Sequence, residues 1–159
     1  MNDVQLSKDV IPPVAKSIKV ERSLEEAFRL FTEGIHTWWP LGTHSVGQDK
    51  AKTCVLEGKA GGRLYEVQKD GNQADWGEIL VWEPPRRFIT TWHPGRENAT
   101  AQEVEVIFTA EGTGTRVELT HRNWELLGER AEEMRASYVP GWDYVLGFYA
   151  SQVETLERS

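Results

Sequence analysis

The chain has 159 residues, an ordinary size for one domain, and carries a net charge of −7 at neutral pH. This acidic balance argues against a surface that tracks phosphates, so no nucleic-acid partner is predicted, and no basic cluster indicates an anionic membrane. No apolar run approaches the roughly 18 residues that cross a bilayer, and no secretory signal is visible. The single cysteine, Cys54, excludes an intrachain disulfide and fits a reducing compartment. We therefore expect a soluble, cytoplasmic protein.

The first third of the chain predicts a tail, a strand and a helix. Residues 1–12 run up to a Pro-Pro pair and are predicted to form a loose tail before one domain over 13–159. Alternating apolar residues predict a strand over 14–21. Ser23 precedes Glu26 by three residues, a capping-box spacing that predicts the start of a helix. One face of that helix carries Leu24, Ala27, Phe28 and Phe31.

Six further strands are predicted after a loop over 41–49, with short separators of turn chemistry between them. They are 53–57, 63–68, 74–82, 88–93, 102–110 and 115–121. Because the links are short, neighbouring strands should be antiparallel and form a meander. On the last two strands the Val, Phe and Leu residues mark the inward face, which also receives His121. His121 is the best polar candidate for ligand contact, the alternative being a core histidine bonded to the backbone.

The strand predicted over 74–82 has two faces that both suit the interior. Trp76 and Trp82 share one parity with Glu78, whereas Gly77 and Ile79 share the other. The sequence therefore leaves Glu78 unassigned. Glu66 is a second carboxylate that could face inward, while most acidic residues are expected on solvated faces.

The last third of the chain changes to a helical period. Asn123 is predicted to cap a short helix that reaches about Met134, and a longer helix should begin at Pro140 or Gly141 and run to about residue 156. Its apolar stripe comprises Trp142, Val145, Tyr149 and Val153, widened by Leu146 and Phe148. Such a stripe must cover something, and a curved antiparallel sheet is the available partner. The predicted class is α+β, with a seven-stranded antiparallel sheet wrapped around the C-terminal helix.

No catalytic or metal-binding constellation stands out. The four histidines lack ligand spacing and no second cysteine joins them, so no metal and no cofactor are predicted. No Gly-x-Ser-x-Gly segment is present, and Cys54 lies in an apolar strand that suits an inert thiol. Arg63 follows two glycines and is a candidate anion contact, the alternative being a bulge or close backbone approach. Whether the protein is an enzyme stays open.

Seven tryptophans are the most informative feature of the composition. Each indole is a large apolar plate with one polar N–H, and several such plates can line a pocket for a flat or greasy ligand. Aromatic side chains also dominate ordinary cores, so the alternative is that the indoles only fill the interior. In that case Trp38 and Trp39 are packing residues and the pocket is vestigial.

A string of short motifs runs along the chain in a fixed order. It comprises Trp38-Trp39-Pro40, Leu56-Glu57, Gly61-Gly62-Arg63 with Tyr65-Glu66, Trp76-Gly77, Trp82-Glu83-Pro84-Pro85, Thr91-Trp92, Gly114-Thr115-Arg116-Val117 with Leu119-Thr120-His121, and Gly141-Trp142. Over about residues 14–157 this string resembles bacterial members of the family named for the activator of the heat-shock-protein-ninety ATPase. That family lies in the START-like, polyketide-cyclase and birch-pollen-allergen-like (SRPBCC) superfamily. The resemblance implies a helix-grip fold, with a hydrophobic cavity between a bent sheet and the final helix.

The resemblance implies a range of functions rather than one. Members bind apolar molecules, cyclise polyketides or assist a chaperone, and they supply no shared catalytic set. By analogy the cavity is bordered by Trp39, Tyr65, Trp76, Trp92, His121 and Trp142; Trp38 and Arg63 complete the predicted ligand-binding residues. The first hypothesis is binding of a small hydrophobic or aromatic ligand. The alternatives are a cyclase or aromatase in which His121 moves protons with Glu66 or Glu78, and a co-chaperone-like interaction module. The sequence does not determine the ligand or the oligomeric state.

Overall fold

The structure is a computed structural model that describes residues 11–95 and 101–158. Its strands are β1 (Val14–Val20), β2 (Ala51–Leu56), β3 (Arg63–Gln68), β4 (Gln73–Glu83), β5 (Arg87–Trp92), β6 (Gln102–Glu111) and β7 (Gly114–Arg122). Helix α1 (Leu24–Thr32) follows β1, and helix α2 (Ala131–Arg158) follows β7. Short 3-10 segments occupy Ile35–Thr37, Gln48–Lys50 and Trp124–Arg130. Of the predicted tail, residues 1–10 lie outside the described part.

All seven strands form one antiparallel sheet in the order β1-β7-β6-β5-β4-β3-β2. From β2 to β7 the chain is the meander that its short links predict. Strand β1 closes on the far side of β7, where Val14 pairs with His121. Each strand matches its predicted segment to within two residues at either end. The predicted seven-stranded sheet is confirmed.

Helix α1 packs on the inner face of the sheet. Its start has the first bond of the predicted capping box, because the Glu26 amide donates to Ser23 Oγ over 3.2 Å. The Glu26 carboxylate accepts from the Ser23 hydroxyl over 3.0 Å, where the predicted box has the Ser23 amide as donor. The ring centroids of Phe28 and Phe31 lie 5.1 and 5.6 Å from that of Phe108 on β6. These contacts bury the apolar face that the sequence predicts.

Helix α2 is longer than predicted. It begins at Ala131 rather than at Pro140 or Gly141, and Pro140 lies inside it. Proline has no amide hydrogen for the carbonyl of Ala136, which is why the sequence pattern predicts a boundary there. Both Pro140 and Ala136 are exposed, so water can satisfy that carbonyl. Burial of the flanking turns then keeps the helix continuous.

The short helix predicted between Asn123 and Met134 is wrong in its details. Asn123 adopts a left-handed backbone with φ of 72° and makes no side-chain cap. Residues Trp124–Arg130 form a 3-10 segment in which Gly128 has φ 64° and ψ −128°. Essentially only glycine adopts that conformation. It interrupts the helical backbone between Trp124 and the start of α2 at Ala131.

The apolar stripe of helix α2 packs into the curved face of the sheet. Its buried members are Trp142, Val145, Leu146, Tyr149 and Val153. Phe148, which the sequence placed in the stripe, is 40% exposed. The Tyr149 hydroxyl donates to the Ala27 carbonyl over 2.8 Å and joins α2 to α1, and burial raises the pKa of Tyr149. The helix-grip arrangement is therefore present.

Strand β4 changes its alternation twice, which settles the two faces that the sequence left open. Trp76 is an extra residue opposite β3, and Leu80 is an extra residue opposite β5. Each bulge reverses the alternation and bends the strand. Trp76 and Ile79 are therefore both buried although their parity differs, and Glu78 is exposed.

In the described ranges, no helix is both long enough and apolar enough to span a membrane.

Candidate functional site

A cavity of about 510 Å³ lies between the sheet and helix α2. Its lining comes from the loop after α1 (Trp39, 43–46), from β4, β5 and the turn that follows (Trp76, Trp92, 94–95), and from α2 (137–138, 141–142, Val145). The volume falls within the roughly 300 to 1,000 Å³ of small-molecule sites. Four of the seven tryptophans therefore border a space rather than filling it.

Four tryptophans, Trp39, Trp76, Trp92 and Trp142, form one apolar surface that we call the indole wall. Ring centroids of Trp39 lie 5.1, 5.9 and 6.0 Å from those of Trp76, Trp92 and Trp142. Trp92 is also 6.1 Å from Trp76 and 5.3 Å from Trp142. All these pairs are tilted or edge-on, the arrangements that aromatic quadrupoles favour. The wall is thus held by contacts among its own rings.

Every indole N–H of this wall is already bonded within the protein. Trp39 donates to the His44 carbonyl (2.6 Å) and Trp76 to Glu66 Oε1 (2.7 Å). Trp92 donates to the Tyr138 hydroxyl (3.1 Å) and Trp142 to His121 Nδ1 (3.0 Å). An indole has a single donor and no acceptor. The wall therefore offers a ligand ring faces and edges rather than hydrogen bonds.

Glu66 is fully buried and ties the neighbouring loop to the indole wall. Besides the Trp76 indole, its carboxylate accepts from the amides of Val46 (2.7 Å) and Gly47 (2.8 Å) and from the Gln68 side chain (3.2 Å). Burial alone raises the pKa of Glu66, but these four hydrogen bonds favour the charged form and bring the pKa below its ordinary value. Glu66 is thus a structural anion.

His121 lies on the inner face, as the alternation predicts, but behind the indole wall. It is fully buried and is not part of the cavity lining. Because an indole nitrogen only donates, we assign the ring proton of His121 to Nε2, which donates to Gln102 Oε1 over 3.2 Å. The Trp124 indole donates to the His121 carbonyl over 2.9 Å. His121 therefore contacts the lining from behind, through Trp142, Trp92 and Tyr138, and its own contact with a ligand stays a prediction.

Arg63 and Tyr65 lie on the outer face of β3, away from the cavity. The Arg63 guanidinium is 4.0 Å above the Tyr65 ring and donates to the Asp75 carboxylate over 2.7 Å. That hydrogen bond is the main reason that the pKa of Arg63 lies above its ordinary value. A ligand role for either residue stays a prediction.

Trp38 also lies outside the lining. Its ring is packed in the core, 5.1 Å from Phe31 and 5.2 Å from Tyr149, and its N–H donates to the Leu30 carbonyl over 2.9 Å. The structure thus brings four of the eight predicted ligand-binding residues to the cavity, and these four are the indole wall.

Polar side chains also line the cavity, and we call them the polar lip. They are Thr43, His44 and Ser45 from the loop and Ser137 and Tyr138 from helix α2. The loop and the helix meet where the His44 ring stacks on Tyr144, with centroids 4.9 Å apart and planes at 26°. Burial lowers the pKa of His44, so its neutral imidazole predominates at neutral pH.

The cysteine and the possible metal ligands of the sequence form no further site in the described residues. Cys54 is buried, and burial, followed by the charge of Glu66, raises the pKa of its thiol to about 12. That fits the predicted inert thiol. Within residues 11–95 and 101–158, no three His, Cys, Asp or Glu side chains are placed to hold a metal.

Comparison with known proteins agrees with this geometry. The family model described as "Activator of Hsp90 ATPase homolog 1-like protein" matches residues 21–148. The chain belongs to this family. None of the curated proteins compared with the chain matches it significantly.

Solved structures extend the comparison. "An anthrahydroquino-Gama-pyrone synthase Txn09 complexed with SUM" is 36% identical, with a TM-score of 0.56, over 79% of this chain and 85% of that one. The self-sacrificing resistance protein CalC from Micromonospora echinospora is 24% identical, with a TM-score of 0.68, over 91% and 95%. The Aha1 dimer from Colwellia psychrerythraea is 17% identical, with a TM-score of 0.61, over 86% and 91%. The last two support the fold alone. The family and the 36% identical synthase together support a ligand-binding or cyclase-type fold.

Sequence reasoning missed the polar lip. His44 lies in a loop, where a solvated histidine is the ordinary expectation, and the start of α2 that carries Tyr138 was not predicted as part of the long helix. A loop has no periodicity that assigns side chains to a face. The only available signal was the position of His44 five residues after Trp39.

Proposed function

We propose that this protein binds a flat, mainly apolar aromatic molecule between the sheet and helix α2. The observation that carries the proposal is the indole wall around about 510 Å³, with each indole N–H bonded within the protein. Ring faces without free donors favour a ligand that stacks, since each aromatic pair adds about 0.5 to 1.5 kcal/mol beyond simple burial. A saturated acyl chain gains the burial but not the stacking.

The polar lip sets how such a ligand is oriented. A carbonyl oxygen at one edge of the ligand would accept from the Tyr138 hydroxyl, and a ligand hydroxyl beside it would donate to the His44 imidazole or the Thr43 oxygen. In this proposal the lip, rather than His121, Arg63 or Tyr65, contacts the polar edge of the ligand. An aromatic molecule with oxygens on one edge therefore fits better than a bare hydrocarbon.

Similarity to a synthase supports this ligand class. The relative that is 36% identical is named an anthrahydroquino-Gama-pyrone synthase. A fused, oxygenated ring system is therefore the class of ligand that we propose for this chain as well.

The test is a titration of the full chain followed by tryptophan fluorescence and by calorimetry. The probes are 1,8-dihydroxyanthraquinone, palmitate and cholesterol. We expect saturable quenching with the anthraquinone and much weaker responses to the other two. A saturable response to palmitate alone, or to none of the three, would overturn the proposal.

A matched pair of indole variants locates the site. Trp39→Leu removes an indole with three ring contacts inside the wall, so we expect at least about tenfold weaker binding. Trp82→Leu removes an indole that packs on Phe28, 5.1 Å away, and does not line the cavity. It should leave the affinity unchanged. Equal losses in both variants would argue against the cavity as the binding site.

A further inference from the structure

We infer that His44 and Tyr138 form a proton-transfer site that enolises an aromatic ketone bound in the cavity. The inference rests on the proposed function, because the ketone must first bind against the indole wall. It assigns the acid–base chemistry to two residues that the sequence did not single out. It also replaces the pairing of His121 with Glu66 or Glu78.

The lining leaves few groups that could move a proton. Ser45 and Ser137 already donate their hydroxyl hydrogens to backbone carbonyls, over 2.6 and 2.7 Å. Glu66 is enclosed by four donors and lies outside the lining, as does His121. Among the described residues of the lining, His44 and Tyr138 are the only titratable side chains.

His44 has the surroundings of an oriented base. Its Nδ1 lies 2.8 Å from the Thr43 hydroxyl, which is itself 3.4 Å from the Pro40 carbonyl. We assign the tautomer in which Nδ1–H donates to Thr43 and the Thr43 hydrogen points to Pro40, since this satisfies both contacts. The lone pair of Nε2 is then left for a ligand. Stacking on Tyr144 fixes the plane of the ring.

Tyr138 has the surroundings of a fixed donor. Its hydroxyl accepts the Trp92 indole N–H over 3.1 Å, so its own hydrogen is left to donate to a ligand oxygen. Accepting that bond also polarises the Tyr138 O–H. The ring is held edge-on to His121, with centroids 4.9 Å apart, and 5.3 Å from Trp124. A donor held in place before the reaction is what a developing oxyanion requires.

The step balances without a cofactor. Nε2 of His44 takes a proton from the carbon next to the ketone, and the C–H electron pair forms the carbon–carbon double bond of an enolate. The carbonyl π electrons move to the oxygen, which receives the hydrogen bond from Tyr138. Return of a proton from His44 to the carbon restores the ketone. When the imidazolium exchanges with heavy water, the returned hydrogen is deuterium.

The experiment measures this exchange directly. The full chain is incubated with 2-acetylnaphthalene in heavy water, and loss of the methyl signal is followed by proton NMR. We expect exchange faster than in protein-free buffer. His44→Gln should slow the protein-dependent exchange by about 10² to 10⁴-fold, and Tyr138→Phe by about 10² to 10³-fold. His36→Gln, at an exposed position of the 3-10 segment Ile35–Thr37, should exchange like the parent.

Fluorescence titration with the same ketone separates the two proposals. Saturable binding with exchange equal to that in buffer would overturn the proton-transfer site and leave the proposed function standing. Absence of saturable binding of any aromatic probe would overturn the proposed function itself. His44→Gln and Tyr138→Phe must also bind the ketone saturably, which shows that these two variants are folded. Undiminished exchange in His44→Gln would exclude His44 as the base.

Discussion

The indole N–H of Trp142 donates to Nδ1 of His121 over 3.0 Å, and this bond joins the wall of the cavity to a fully buried histidine. His121 is fixed in turn by its place on β7, opposite Val14 on β1 and Val104 on β6. The orientation of one cavity ring is therefore set by residues outside the cavity lining. His121 holds Trp142 in place, and its own contact with a ligand stays a prediction.

Replacing His121 should lower the stability of the folded protein more than it changes the chemistry of the cavity. His121→Phe keeps an aromatic ring but removes the acceptor of the buried Trp142 N–H, which should lower the free energy of unfolding by about 1 to 3 kcal/mol. Urea denaturation measures this change. The exposed control His36→Phe should stay within about 0.5 kcal/mol of the parent. Equal stabilities of the two variants would show that the bond contributes nothing.

Glu66→Gln should loosen the loop beside the cavity. An amide cannot offer two acceptor oxygens to the amides of Val46 and Gly47, so we expect a loss of about 2 to 3 kcal/mol at pH 7. The exposed Glu78→Gln is the matched control and should change stability by less than about 0.5 kcal/mol. Urea denaturation of both variants decides the matter.

The buried charge of Glu66 should also make the stability of the protein depend on pH. The pKa of Glu66 is lower in the folded protein than its ordinary value of 4.5. Its contribution is therefore fully present above pH 4.5 and is lost as the pH falls through the lower, folded value. Unfolding free energies measured from pH 7 down to pH 3 should fall less steeply in Glu66→Gln than in the parent. Parallel curves would contradict the assignment of Glu66 as a buried anion.

Gly77 and Gly147 should respond to alanine in opposite directions. A Cβ at Gly77 would fall onto the carbonyl oxygen of Thr91 on the neighbouring strand, so Gly77→Ala should cost about 3 kcal/mol or more. A Cβ at Gly147 meets nothing within 4 Å, and this position lies within helix α2. Gly147→Ala should therefore stabilise the protein by about 0.5 to 1 kcal/mol. Thermal or urea unfolding distinguishes the two, and destabilisation by both variants would contradict the packing described.

The pH profile of the exchange reaction should report His44. Burial lowers the pKa of His44 below the ordinary 6.5. The groups that face its ring are Tyr144, which is stacked on it, and the Thr43 hydroxyl, which lies at Nδ1. The neutral base then predominates at pH 7, so the rate should level off above neutrality and fall as the pH drops through the lowered pKa. Exchange measured from pH 5 to 8 tests this. A rate that keeps rising above pH 7 would point to a different base.

Several features of the site could be predicted from sequence alone. Two-residue alternation on β7 places His121 on the same face as Val117 and Leu119, and all three are buried. The predicted stripe of α2 correctly includes Trp142. Such predictions succeed where a regular element repeats its period long enough to define one face.

Other features could not be predicted, because they depend on breaks in that regularity. The bulges at Trp76 and Leu80 reverse the alternation of β4, and nothing in the local sequence marks them. Glu66 has inward parity on β3, but two of its four donors lie about 20 residues earlier, in a loop. Pro140 ends a helix by local rules and lies inside one here.

By itself, the sequence determined the order of elements along the chain, the meander of β2 to β7, the terminal helix and the abundance of indoles, because hydrophobic period and turn residues act over a few neighbouring positions. The tertiary structure alone decided which four indoles enclose the cavity, and that the loop carrying His44 meets helix α2 at Tyr144. Those choices depend on contacts between residues about a hundred positions apart in the chain. A local pattern does not encode such distances.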